Sequence, residues 1–171
     1  MKSLFDPDLT FKEAKELIKS GADVNDVDGF NETPLFFVES VDIAKLLIEN
    51  GANVNHKNDY QYTPIFFKDN IAIYQVFINA GADINVRDLF GLTALDGQKS
   101  MSYASVLISY GALAGRIENY QKFRDLYTKE QREAFDTFMT ITTNDNDFFA
   151  MCKAYQDNIN VKIEIKDMAI L

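Results

Sequence analysis

The chain has 171 residues and a net charge of −9, from 26 acids against 17 bases; at 47% apolar and 13% aromatic it is too hydrophobic to remain disordered. Its length lets it bury about 70% of its unfolded surface without staples, and a single cysteine, Cys152, excludes an intrachain disulfide and fits a reducing compartment. The acidity argues against nucleic acid or an anionic membrane as partner and fits a basic protein instead.

The first residues, Met1-Lys2-Ser3-Leu4-Phe5-Asp6-Pro7-Asp8, turn acidic before any apolar run develops, so no secretory leader is read there. No stretch approaches the roughly 20 apolar residues of a membrane helix, and a cytoplasmic location is expected. Thr10-Phe11-Lys12-Glu13 forms a capping box that opens a helix to Ser20, with Leu9, Phe11, Ala14, Leu17 and Ile18 as its apolar set. Gly21-Ala22-Asp23-Val24-Asn25 then ends the helix, and a stretch rich in turn formers follows, with Asp26, Asp28, Gly29 and Asn31. Thr33-Pro34-Leu35 opens a short helix over 34–39, where proline at the first position loses no needed amide. Ser40 caps a longer helix over 41–50, with Val41, Ile43, Ala44, Leu46, Leu47 and Ile48 as its core side.

The same succession returns every 30 residues. Gly51-Ala52-Asn53-Val54-Asn55 and Gly81-Ala82-Asp83-Ile84-Asn85 repeat the helix stop, which decays to Gly111-Ala112-Leu113. Thr63-Pro64-Ile65 and Thr93-Ala94-Leu95 repeat the helix start, predicting helices over 64–69, 71–80, 94–99 and 101–110. Self-similarity at this period is the signature of a stacked repeat array.

These motifs resemble the ankyrin repeat over about residues 10–115. The resemblance implies an all-α solenoid: three full repeats of stacked helix pairs with projecting fingers, plus an N-terminal half-repeat cap. Its usual step is 33 residues, whereas here it is 30, with the deficit between the Thr-Pro-Leu motif and the second helix. The family's histidine after Thr-Pro-Leu is replaced by Phe36, Phe66 and Asp96, so its hydrogen bonds to the threonine should be absent. The finger glycine survives only as Gly91; Asn31 and Gln61 stand in its place, and Gln61 should distort the second finger because it tolerates positive φ poorly.

Gly115 marks a change of composition, giving a repeat region over 1–115 and a C-terminal extension over 116–171. In the extension, Ile117, Tyr120, Phe123, Leu126 and Tyr127 fit one helix face, and Thr128 with Gln131 makes a second capping box. Asp145 or Asn146 should cap a third helix carrying Phe148, Met151, Cys152 and Tyr155. Val161-Lys162-Ile163-Glu164-Ile165-Lys166 alternates and reads as a strand over 160–166, to be paired with its copy in a homodimer or with a bound protein, or else disordered.

Catalysis finds little to work with. His56 is the only histidine and falls in a finger, where an exposed loop residue is the simpler account than a general base. Cys152 lies on the apolar side of its helix, as a small buried hydrophobe does. There is no phosphate loop, no nucleophile elbow and no zinc spacing. Asn144-Asp145-Asn146-Asp147 lacks the glycine and closing glutamate of a calcium loop. No enzyme activity, metal, cofactor or small-molecule substrate is expected.

What remains is a binding constellation. Phe30, Tyr60 and Phe90 occupy one repeat position, with Glu32, Tyr62 and Leu92 two places on. Asp59 and Asp88 interleave with them, and residues 1–115 hold 16 acids against 9 bases, so the acidity is concentrated there. The resemblance implies that finger tips and first helices line a concave binding face. Large aromatics there are favoured interface anchors, although adjacent fingers packing ring on ring would account for the pattern too. Two function classes follow: an immunity or inhibitor protein that occupies a basic toxin or enzyme, and an adapter or translocated effector docking on a regulatory or host protein.

Overall fold

A computed structural model describes residues 2–168, with side chains to residue 158. The chain divides into two compact units that part after Leu89. All regular structure among the described residues is helical.

In the first unit, α1 (Phe11–Lys19), α2 (Val41–Glu49) and α3 (Ile71–Asn79) pack in sequence, α2 between the other two. The Thr10 capping box forms in both directions: Glu13 N donates to Thr10 Oγ1 at 3.3 Å, and Thr10 N to Glu13 Oε2 at 2.9 Å. The backbone amide of Thr10, followed by its hydroxyl and by Lys2, holds the Glu13 carboxyl down at about 2. Each helix ends on a glycine with left-handed φ, at +93° for Gly21, +90° for Gly51 and +85° for Gly81. The following amides fold back, Ala22 N onto Leu17 O, Ala52 N onto Leu47 O and Ala82 N onto Phe77 O, each at 2.9–3.0 Å. Ala14, Leu35, Ala44, Leu47, Ile65, Ile73, Tyr74 and Phe77 form the core of this unit.

The motif asparagines staple neighbouring repeats. Asn25 Nδ2 donates to Gly51 O at 2.9 Å while its Oδ1 accepts from Asn53 N at 2.8 Å. Asn55 repeats both bonds with Gly81 O and Asp83 N.

The short helices are shorter than the sequence predicts. Segments 34–39 and 64–69 are single 3₁₀ turns, Pro34–Phe36 and Pro64–Phe67, and 94–99 in the second unit is a turn over 94–97. Three residues fewer per repeat leave no length for a second α-turn before the next N-cap. Thr33 makes no side-chain cap, and Thr33 Oγ1 and Thr63 Oγ1 are buried without a partner, as the loss of the histidine predicts.

The second unit contains α4 (Met101–Ser109), α5 (Ile117–Phe123), a 3₁₀ turn Arg124–Leu126, α6 (Lys129–Ile141) and α7 (Asp145–Met168). Here the lost histidine bond is remade: Asp96 Oδ2 accepts from Thr93 N at 2.6 Å, Thr93 Oγ1 at 3.1 Å and Gly115 N at 2.8 Å. Burial nonetheless pushes the Asp96 carboxyl up, against these donors. Gly115 is required by that approach, since a Cβ would stand 2.3 Å from Gly91 O. The tail helices enclose an aromatic core of Tyr120, Tyr127, Phe135 and Phe148. Asp136 accepts from Tyr120 Oη at 2.9 Å and from the Arg124 guanidinium, which holds its carboxyl low.

Two tail expectations are corrected. The cap of α7 is Asn144, whose Oδ1 accepts from Asn146 N and Asp147 N; Asp145 instead accepts from Ile117 N at 3.0 Å. Residues 160–166 are not a strand but the continuation of α7. A lone strand leaves both edges unpaired, whereas a helix satisfies its amides internally. The homodimer through that strand loses its basis.

Candidate functional site

The fingers are built by a side-chain oxygen, from Asp or Asn, at one repeat position. Asp28 Oδ1 accepts from Phe30 N at 2.9 Å and Glu32 N at 3.0 Å, and Asp28 N closes the loop onto Glu32 O. Thirty residues on, Asn58 Oδ1 accepts from Tyr60 N and Tyr62 N, both at 3.0 Å, and Asn58 N donates to Tyr62 O. At the tip, Asn31 and Gln61 both take left-handed backbone, φ 60° and 65°. The second finger is therefore not distorted. Its full hydrogen-bond set holds Gln61 in a conformation that costs an ordinary side chain about 1–2 kcal/mol.

The first two fingers are tied edge to edge by Asp59 N donating to Phe30 O at 3.3 Å, and Leu89 N donates to Tyr60 O at 3.2 Å. Asn58 Nδ2 donates to Glu32 Oε1 at 2.7 Å. His56 is half-buried, not a free loop residue: its Nε2 lies 2.9 Å from Asn31 O, an atom that can only accept, so Nε2 carries the proton. Its ring also meets Phe36 edge-on.

On this braced frame the sequence-predicted residues divide. Phe30 is 61% exposed and Tyr60 48%, so packing between fingers does not bury these rings. Asp59 is exposed, and Glu32 and Tyr62 are half-buried beside it. Tyr62 packs at a tilt against Tyr60 and Phe66 and edge-on against Phe67, and its hydroxyl bonds Asp88; burial, then that carboxylate, pushes its pKa up. Asp88 itself is only 7% exposed and holds the place of Asp28 and Asn58, so its carboxylate serves the frame. Two further apolar residues of the first unit are exposed, Val27 beside the exposed acid Asp26 on the first finger and Leu89 on the segment bonded to the second. In the second unit, Phe90 is 62% exposed, its carbonyl accepting from Arg116 Nη2 at 3.0 Å, and Leu92 is half-buried.

Chemical groups elsewhere are committed to structure. Cys152 is buried, and burial pushes its thiol well above the usual range. Among the described residues no cluster of histidine, cysteine and carboxylate side chains could hold a metal ion. No helix among them is long and apolar enough to cross a membrane.

Sequence reasoning missed Lys68 and the exposed Phe67. Lys68 is 7% exposed, with Nζ donating to Phe36 O at 2.8 Å and Val38 O at 2.9 Å. The signal was a break in a column: Lys68 stands where the neighbouring repeats carry Val38 and Gln98.

A family model described as ankyrin repeat matches residues 30–59. That span runs from the first finger tip through α2 to the second finger, and the flanking repeats carry the same motifs in register. No curated protein matches the chain. Repeats of this family generally mediate protein–protein interaction and are typically not catalytic.

Proposed function

We propose that this chain, whose residues 30–59 match an ankyrin repeat, binds a basic protein through the finger face of its first unit, occupying a toxin or enzyme and so neutralising it. The observation that carries the reading is the exposure of Phe30 and Tyr60 on fingers already fixed by backbone and Asp28/Asn58 hydrogen bonds. A backbone already fixed loses little entropy on docking, and exposed aromatic rings are favoured interface anchors. Residues 1–89 carry 15 acids against 8 bases, and Asp26 and Asp59 remain exposed on the finger segments that carry the rings. Such acids steer a basic partner and raise its association rate more than its affinity. A chain that covers a basic substrate cleft inhibits without any chemistry of its own.

The test begins with affinity capture from the source cell and identification of the bound protein. Changing Phe30 and Tyr60 together to Ala, with an unaltered far-UV spectrum, should weaken that complex at least 30-fold, as loss of one hot spot of ~2 kcal/mol does. Affinity unchanged in the folded double variant places the interface elsewhere. A captured partner that is acidic refutes the electrostatic part of the reading, and one whose activity is unaffected by the bound chain refutes neutralisation.

A further inference from the structure

The first unit carries a second feature that the finger face does not use. A cleft of about 530 Å³ lies between segments 36–39 and 67–70. It sits where each repeat is three residues short of the family's usual step, so no second helical turn fills it. Pro7, Phe36, Phe37, Phe67 and Ile73 give it apolar walls, and Lys68 lines it together with the exposed carboxylates of Glu39 and Asp69.

Lys68 is the unusual group. An ammonium has three N–H donors; the carbonyls of Phe36 and Val38 take two. Among the described residues no carboxylate lies within ion-pair distance of Lys68. A buried cation without a counter-ion is uncommon, because desolvation goes uncompensated. Glu39 and Asp69 are the acids that act on it, and both are exposed and screened by water. Tyr74, packed beneath, donates its hydroxyl to the Lys68 carbonyl and brings no charge. Burial outweighs the two acids and draws the amine down to about 8. The exposed carboxylates are screened by water, whereas an anion brought against the buried ammonium meets it through a lower effective dielectric.

We propose that this cleft binds a carboxylate carried on an apolar or aromatic body, the carboxylate accepting from the third N–H of Lys68 and the body lying against Phe36, Phe37 and Phe67. A free small acid and the apolar C-terminal residue of a peptide share this chemistry. The proposal is independent of the finger face. Because the bound anion needs a protonated Lys68, affinity falls as pH rises past about 8.

The experiment titrates the full chain with 3-phenylpropionate, 3-phenylpropan-1-ol and 3-phenylpropylamine, following amide chemical shifts. The acid should shift amides of 36–39 and 67–70 and bind at least tenfold more tightly than the alcohol or the amine. Its affinity should drop at least tenfold between pH 7 and pH 10, and be lost in Lys68→Met. Phe67→Ala, which removes an exposed wall, should weaken it severalfold with the fold intact. N-acetyl-glycyl-phenylalanine and its C-terminal amide separate the two sources: the peptide acid binding more tightly than phenylpropionate assigns a chain terminus, and the reverse assigns a free acid. No binding of either acid, preference for the amine, or binding unchanged at pH 10 overturns the proposal. Should Lys68→Met not fold, the pH profile of the natural chain decides alone.

Discussion

Lys68 makes the stability of the first unit rise with alkaline pH, opposite to what a lysine that gains a counter-ion would do. Its amine is drawn from 10.5 down to about 8 on folding, chiefly by burial. Below pH 8 both folded and unfolded chains carry the proton, and the whole cost of the buried charge is present. Between pH 8 and 10.5 the unfolded chain binds more protons than the folded one, so unfolding becomes harder as pH rises. At 1.36 kcal/mol per pH unit the gain from pH 7 to pH 10 is roughly 2–3 kcal/mol. Urea denaturation of the natural chain and of Lys68→Met at pH 7 and pH 10 isolates it. Lys68→Met leaves the Phe36 and Val38 carbonyls without their donor at both pH values, and all other titrations are common to both proteins, so both cancel in the difference. The natural chain should gain about 2 kcal/mol or more on the variant at pH 10. A difference that does not change with pH, or that moves against the natural chain, refutes the buried, uncompensated ammonium.

Other perturbations have signs set by local geometry. Gln61→Gly should stabilise by about 0.5–1 kcal/mol in thermal or urea unfolding, relief of left-handed strain exceeding the entropy that glycine adds to the unfolded chain. Thr33→Val should be neutral or stabilising by up to about 1 kcal/mol, because it removes a buried hydroxyl without a partner. Thr93→Val should be destabilising by ~1–3 kcal/mol, because there the hydroxyl bonds Asp96 and Leu113 O. Asn55→Ala, which cuts two bonds between repeats, should cost about 1–3 kcal/mol in the same assay.

What the sequence disclosed was what depends on near neighbours. The helix stops were legible because a glycine with left-handed φ is a local requirement, and the capping boxes at Thr10 and Thr128 because both partners lie within one turn. The finger aromatics were legible as a register, and their exposure was the question only coordinates answer. Features that rest on distant contacts were not legible. Asn25 and Asn55 read only as the last residues of the helix-stop motif, whereas their side chains span to the next repeat. Asp96 read as a lost histidine, though a carboxylate at that place accepts the threonine's hydrogen bond as well. Asp88 read as a surface acid and is buried, since a charge in a finger motif looks the same whether it faces solvent or its own amides. Alternation at 161–166 read as a strand because the pattern carries no information about whether a partner edge exists.

Hydrogen exchange on the complex tests the central claim most directly, once the partner is captured. The finger amides of Asn31, Gln61, Phe30 and Tyr60 are tied to Asp28 and Asn58 and lie at the surface. The account predicts that binding slows exchange across 26–32 and 57–62, with the tail helices between 117 and 157 unchanged. Protection confined to 117–157, with both fingers exchanging as in the free chain, would contradict it.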